Sequence, residues 1–208
     1  MSVDYRLYLV TDRKILGDRD FLQSMAAALQ GGVTLLQLRE KEVASADFYQ
    51  LAVQIKELAH VYRVPLVIND RLDIALAVDA DGLHIGQDDL PLPVARKLLG
   101  PEKILGYSVS TLEEARYGEQ NGADYLGAGP VYWTGSKADI GETIGLECLQ
   151  QIKQAVAIPV VGIAGINPAN LPGVKGTGVD GVAVISGILG QADIARAARD
   201  LLSLWNAS

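Results

Sequence analysis

Short apolar runs rich in β-branched residues alternate with amphipathic stretches along the whole chain. Arg6–Val10 reads as a strand, and Asp18 is placed to cap a helix with Phe21, Met25, Ala28 and Leu29 on one face. Gly31 and Gly32 stop that helix, and Val33–Leu38 is the next strand. A Ser45-capped helix follows with Phe48, Leu51, Ile55, Leu58 and Ala59 at helical spacing. Pro65–Ile68 is a strand, Arg71–Val78 a short helix, Asp81–Ile85 a strand and Pro91–Leu99 a helix.

The second half repeats the alternation. Lys103–Tyr107 reads as strand, and Ser110 with Glu113 predicts a capping box for the helix after it. Asp124–Ala128 is a sixth strand, and a polar loop from Gly129 to Gly145 leads to a helix carrying Leu146, Leu149, Ile152 and Val156. Pro159–Ile163 is the seventh strand, Asn167 and Pro168 stand in N-cap and N1 order, and Val179–Ile185 is the eighth strand. Ile194, Ala198, Leu201, Leu202 and Trp205 form one face of a last helix. Asp81-Gly82-Leu83, Asp124-Tyr125-Leu126 and Asp180-Gly181-Val182 echo one another, each opening a strand. Eight units share 208 residues, enough in each for a strand, a helix and two short loops. The strands are nearly unbroken apolar runs, as in a parallel sheet buried on both faces. These features predict one (β/α)₈ TIM-barrel domain over residues 1–208. The rival is an open doubly wound sheet, but the glycine-rich first turn usual in that fold does not follow Val10.

Barrel enzymes build their sites from the loops after the strands, and here those loops carry the polar residues. Gln37, Arg39 and Lys41 alternate, so an extended strand projects all three to one side, which suits a polyanion. Asn69, Asp70 and Arg71 end the third strand, Gln87, Asp88 and Asp89 follow the fourth, and Ser108 follows the fifth. Asp70 and Asp89, on adjacent strands among cations, suit Mg²⁺ completed by phosphate oxygens and water. Ion pairs with Arg71 or Lys41, or helix caps, are the structural alternatives. Thr134, Gly135, Ser136 and Lys137 follow the sixth strand. Small residues at Gly162–Gly165 and Ser186-Gly187 let backbone N–H groups approach an oxyanion, the usual phosphate place after barrel strands seven and eight.

Composition narrows the partners. Lys and Arg number 18 against 25 Asp and Glu, a net charge of −7 that argues against a general nucleic-acid binder. No apolar run reaches the ~18 residues of a membrane span, and the N-terminus lacks the pattern of a signal peptide. The lone Cys148 gives neither a disulfide nor a metal pair, so a soluble, cytoplasmic protein is expected. His60 reads as a surface residue, and His84 as a satisfied core or rim histidine. No nucleophile elbow or Walker-type loop is present. The oligomeric state is left open.

In combination, Tyr8–Arg13, Gln37–Lys41, Asn69–Arg71, Gly86–Asp89, Gly129–Tyr132 and Thr134–Lys137 resemble the thiamine-phosphate synthase family over essentially the whole chain. The resemblance implies a barrel that joins hydroxymethylpyrimidine diphosphate to a hydroxyethylthiazole phosphate, releasing pyrophosphate. It implies that Gln37, Arg39, Lys41, Asn69 and Lys137 hold the pyrimidine diphosphate, and that Asp70 and Asp89 ligate Mg²⁺. Ser108 would lie beside the pyrimidine, and Thr134, Ser136, Gly165, Ile185 and Ser186 would hold the thiazole phosphate. Arg39, Lys41, Lys137 and Ser108 would then be the catalytic set. An electron-rich aminopyrimidine supports a cationic carbon and the thiazole nitrogen brings its own lone pair, so no triad is needed. The demand falls on neutralising the leaving group.

This chain departs from the family at Ala164, where Gly is frequent, at Ser136, where Thr is frequent, and at Trp133, where Pro is common. The related thiazole tautomerase would carry a His and a Cys where this chain has Pro130 and Ser136. A phosphate-sugar isomerase would want a carboxylate base without so many cations. A silent thiazole-phosphate-binding regulator would not need Asp70, Asp89 and Lys137.

Overall fold

A computed structural model of the chain describes residues 3–134 and 142–207. Eight parallel strands close into a barrel in sequence order: β1 (Leu7–Val10), β2 (Leu35–Leu38), β3 (Leu66–Asn69), β4 (Gly82–Ile85), β5 (Ile104–Val109), β6 (Tyr125–Ala128), β7 (Val160–Ile163) and β8 (Gly181–Val184). Leu7 pairs with Val182 where β1 meets β8, which closes the ring. All eight predicted strands are present within a few residues of their expected bounds.

The helices between them are α1 (Arg13–Leu16), α2 (Phe21–Gln30), α3 (Ser45–Val61), α4 (Leu72–Ala77), α5 (Leu92–Leu99), α6 (Leu112–Gln120), α7 (Gly145–Ala155), α8 (Leu171–Lys175), α9 (Ser186–Leu189) and α10 (Ile194–Asn206). The one-turn helices α1 and α9 are additions, too short to carry a periodic signal. Cap chemistry moves several expected starts. Asp20, not Asp18, caps α2 by accepting from Gln23 N. The capping box is Thr111 with Glu114, one residue beyond the expected pair. Ser45 is the first helical residue of α3 and makes no cap bond there. Instead its Oγ accepts from Arg71. Asn167 folds into a turn, its Oδ1 accepting from Ala169 N, and α8 begins three residues later than Pro168 would place it.

The strands bury both faces. Alternate residues point outward, where Leu9, Leu36, Ile68, Leu83, Leu126 and Val182 pack under the helices. The others fill the barrel: Tyr8, Val10, Leu35, Val67, Tyr125, Val161 and Ala183. At the N-terminal rim, the residue before each even-numbered strand accepts a hydrogen bond from the start of the odd-numbered strand before it. Thr34 Oγ1 takes Leu7 N at 3.0 Å, Asp81 Oδ2 takes Leu66 N at 2.8 Å, Asp124 Oδ2 takes Leu105 N at 2.7 Å and Asp180 Oδ2 takes Val160 N at 2.7 Å. The Asp-opened echo in the sequence is thus a repeated cap that satisfies strand N–H groups lacking a ladder partner. Among the described residues no helix is long and apolar enough to cross a membrane.

Candidate active site

The opposite, C-terminal mouth opens onto a cavity of about 250 Å³. Its wall brings together Gln37, Arg39, Asn69, Ser108, Thr134, Gly165, Ile185 and Ser186, contributed by six different strands or the loops after them. Parity explains the convergence: residues two apart on a strand share a face. Gln37 and Arg39 therefore follow Leu35 to the inside, as Ser108 follows Gly106 and Ile185 follows Ala183.

Arg39 is held on two sides. Its Nη1 donates to Asp12 Oδ2 at 3.0 Å, and its backbone N–H donates to Thr11 Oγ1 at 2.9 Å. Asp12 also caps α1 by accepting from Ile15 N, which fixes the carboxylate that aims the guanidinium. Glu40 pairs with Arg13, leaving the two cations on either side of it for other partners.

Lys41, Asp70 and Asp89 are grouped at the rim, outside the cavity wall. Lys41 Nζ donates to Asp70 Oδ2 at 2.5 Å, so one of the structural alternatives for Asp70 is realised. The alternative pairing with Arg71 is not, because Arg71 binds Asp73. Asp70 has φ +61°, a left-handed conformation that a non-glycine residue adopts at a cost. Asp89 Oδ2 accepts from Gly86 N at 2.7 Å, closing its own loop. Burial lifts the Asp89 carboxyl above the ordinary carboxylate range; the Gly86 N–H opposes this, the nearby Asp70 charge adds to it and Lys41 offsets part. Two neighbouring carboxylates form an oxygen donor set suited to a hard divalent cation. Among the described residues no group of three or more His, Cys, Asp or Glu could hold a metal, so a cation here would draw its remaining ligands from substrate oxygens and water.

Small residues shape the side of the mouth after β7 and β8. The loop after β6 docks along β7 through Val131 N to Ile163 O at 2.8 Å and Tyr132 N to Ala164 O at 3.2 Å. Gly165 has φ +68°, and a Cβ there would come within 2.6 Å of Tyr132 Cβ and 2.8 Å of Trp133 O. Only glycine fits. Ala164 holds φ +80° beside it with a methyl group in place. Trp133 is exposed and does not line the cavity. Ser136 and Lys137 lie outside the described residues.

The sequence reading assigned no role to three further groups at the site. Tyr8 and His84 line the cavity, and the buried Tyr125 joins them. Their inward parity was legible, but their meeting depends on barrel closure. His84 is a satisfied histidine, as expected, bonded to Tyr125 and to Ser108. Burial, before any neighbouring charge, holds the Tyr8 and Tyr125 phenols above the ordinary tyrosine range, so both remain neutral hydroxyls. Glu114 also reaches the cavity, but its carboxylate accepts from Ser110 N, Ser110 Oγ and Thr111 N at the start of α6.

A closed (β/α)₈ barrel with a cavity at the C-terminal ends of its strands, apolar for the most part and set with a few polar groups, is the frame of a barrel enzyme. A family model described as thiamine monophosphate synthase matches residues 7–188. A thiamine-phosphate synthase from Desulfitobacterium hafniense strain Y51 is 63% identical over 205 residues, covering 99% of each chain. One from Syntrophomonas wolfei is 56% identical, covering 99% of this chain and 98% of the relative. The solved thiamine phosphate pyrophosphorylase from Pyrococcus furiosus superposes with a TM-score of 0.89 at 41% identity, over 98% of this chain and 96% of that one. The chain therefore belongs to the thiamine monophosphate synthase family, transferase enzymes of thiamine biosynthesis. A 3-hexulose-6-phosphate synthase, 16% identical with a TM-score of 0.70, shares the fold.

Proposed function

We propose that the enzyme condenses 4-amino-5-hydroxymethyl-2-methylpyrimidine diphosphate with 4-methyl-5-(2-phosphoethyl)thiazole, giving thiamine phosphate and pyrophosphate. The observation that carries this is the division of the mouth into two parts. Cations and carboxylates gather on the side of β2 to β4, and small residues with close backbone approach lie on the side of β7 and β8.

On the first side, Gln37 and Asn69 seat the pyrimidine, with Ser108 on the far wall. Arg39, pre-aimed by Asp12, and Lys41 face the diphosphate, and Lys137 is the third cation assigned to it. Asp70 and Asp89 would hold Mg²⁺, which would supply positive charge to neutralise the diphosphate. Lys41, paired with Asp70 in the free protein, then turns to the phosphate oxygens. On the second side, Thr134, Ser136, Gly165, Ile185 and Ser186 grip the thiazole phosphate through hydroxyl and backbone N–H groups. The C–O bond to the diphosphate breaks with both electrons leaving on oxygen, and the thiazole nitrogen lone pair closes on the ring-stabilised carbon. No proton moves in the bond-making step, so the barrel's task is positioning and charge neutralisation.

Incubating the purified protein with both precursors and Mg²⁺ tests this. Stoichiometric pyrophosphate and thiamine phosphate, lost on adding EDTA and restored by excess Mg²⁺, is the expected result. No pyrophosphate under those conditions would overturn it.

A further inference from the structure

A relay of hydrogen bonds crosses the barrel beneath the cavity. Gln37 Nε2 donates to Tyr8 Oη. Tyr8 Oη and Tyr125 Oη are 2.7 Å apart, Tyr125 Oη lies 2.8 Å from His84 Nδ1, and His84 Nε2 lies 2.9 Å from Ser108 Oγ. These residues come from β2, β1, β6, β4 and β5, so the relay spans one wall of the cavity to the other. Tyr8 and Tyr125 are fully buried. Gly106 makes room for the middle of the relay, because a Cβ there would collide with the Tyr125 ring and His84 Nδ1.

Each hydroxyl carries one proton, so the direction at one end fixes the direction of every link. Gln37 gives an amide proton to Tyr8. Tyr8 then gives its proton to Tyr125, and Tyr125 gives its own to His84 Nδ1. A neutral imidazole that accepts at Nδ1 carries its proton on Nε2 and donates it to Ser108 Oγ. The Ser108 proton is left for the cavity. Gln37 commits one of its two amide protons to Tyr8, which fixes where its acceptor Oε1 and its second N–H lie on the wall it lines. The two ends differ: Gln37 offers an acceptor Oε1 beside its second N–H, and Ser108 offers a donor.

We propose that Tyr125 and Tyr8 are positioning residues that set this donor–acceptor order and thereby select an amino-substituted over an oxo-substituted pyrimidine ring. The ring itself rests on the synthase reading. An exocyclic amino group donates to Gln37 Oε1, and a ring-nitrogen lone pair accepts from Ser108. An oxo group would instead set a lone pair against Gln37 Oε1. Relief would require turning the amide, which reverses all four links and moves the His84 proton to Nδ1. A glutamine alone would turn freely; one tied to two buried phenols and an imidazole does not.

Nitrogen NMR of the ¹⁵N-labelled, ligand-free full chain tests the direction. Only His60 and His84 are present, and His60→Gln assigns the signals. The expected result is His84 as the Nε2–H tautomer, shifting to a mixture in Tyr125→Phe. In the same variant the kcat/KM preference for the amino- over the oxo-pyrimidine diphosphate falls at least tenfold, with the thiazole-phosphate KM unchanged. If Tyr125→Phe does not fold, Tyr8→Phe breaks the neighbouring link and the same preference must fall. An Nδ1–H tautomer in the wild type, or an unaltered preference in a folded variant, overturns the proposal. A wild type with the expected tautomer but no turnover of either analogue would remove the pyrimidine, and with it the selectivity, while upholding the relay's direction.

Discussion

The two rims of the barrel use aspartates in opposite ways. At the N-terminal rim, Asp81, Asp124 and Asp180 each take a strand N–H, and the latter two also bind Arg96 and Lys153. Each of these contacts serves a backbone N–H or a cation of the fold itself. At the C-terminal rim, Asp70 sits in a left-handed backbone conformation, and Asp89 is half-buried next to it. Partial burial beside Asp70 disfavours the charged form of Asp89, and Asp70 is answered only by the half-exposed Lys41. On the proposed reading, the same side chain stabilises the fold at one end and prepares for a ligand at the other, which is the division expected of a barrel enzyme.

The largest expected contrast comes from breaking one residue at each rim. Lys41 is more than half exposed, so Lys41→Ala should change stability by less than about 0.5 kcal/mol. Removing a cation from the leaving group should lower kcat/KM by about 100- to 1,000-fold. Denaturant titration and pyrophosphate release, measured on the same preparation, check both halves. A full-rate Lys41→Ala enzyme would take Lys41 out of the catalytic set.

Asp180→Ala is the converse. It strands the Val160 N–H and Lys153 Nζ together, a loss of about 2 kcal/mol. That corresponds to a melting temperature lower by about 4–8 °C for a chain of this size. Activity per folded molecule should not change. A comparable fall in kcat at a temperature where the variant is fully folded would mean that the two rims are not separable.

Asp89→Asn sharpens the comparison, because it should gain stability while losing function. The folded-state pKa of Asp89 is raised, so the native state holds this proton more tightly than the unfolded chain does. Stability from this group is therefore present at low pH and is lost as pH rises from the ordinary carboxylate value, 3.8, through the raised one. Asn removes that loss at neutral pH and can still accept from Gly86 N. The melting temperature at pH 7 should rise by about 1–3 °C, and the gain should vanish in acid. The Mg²⁺ concentration for half-maximal rate should rise tenfold or more. An unchanged Mg²⁺ titration would count against Asp89 as a ligand.

Much of this division is legible along the chain. Short, nearly unbroken apolar runs mark all eight strands, and polar residues collect after them because that is where the strands end at the mouth. The Asp-opened echo is equally visible, but its purpose is not. Asp124 caps Leu105 across a gap of nineteen residues, and nothing local announces that bond. The same holds for Tyr8 and Tyr125, which meet across 117 residues only because the sheet closes. Cap positions slipped by one or two residues where two candidates stood together, as at Asp18 and Asp20, since geometry rather than residue type decides between them.

The smallest expected effect lies at the C-terminal rim and concerns backbone strain. Ala164 holds φ +80° next to Gly165 at φ +68°, with its carbonyl accepting from Tyr132 N. A left-handed alanine costs about 1–2 kcal/mol, and glycine gives part of that back through the entropy of the unfolded chain. Ala164→Gly should therefore raise stability by about 0.5–1 kcal/mol, read as a higher denaturant midpoint with an unchanged slope. The methyl group stands beside the proposed thiazole-phosphate grip, so the same variant reports on that side of the mouth. If the strain serves to hold the loop after β6 against β7, the thiazole-phosphate KM rises as stability increases, and this rim again gives up stability for binding. A stabilised variant with an unchanged KM would make Ala164 a tolerated imperfection of the fold, unconnected with the phosphate.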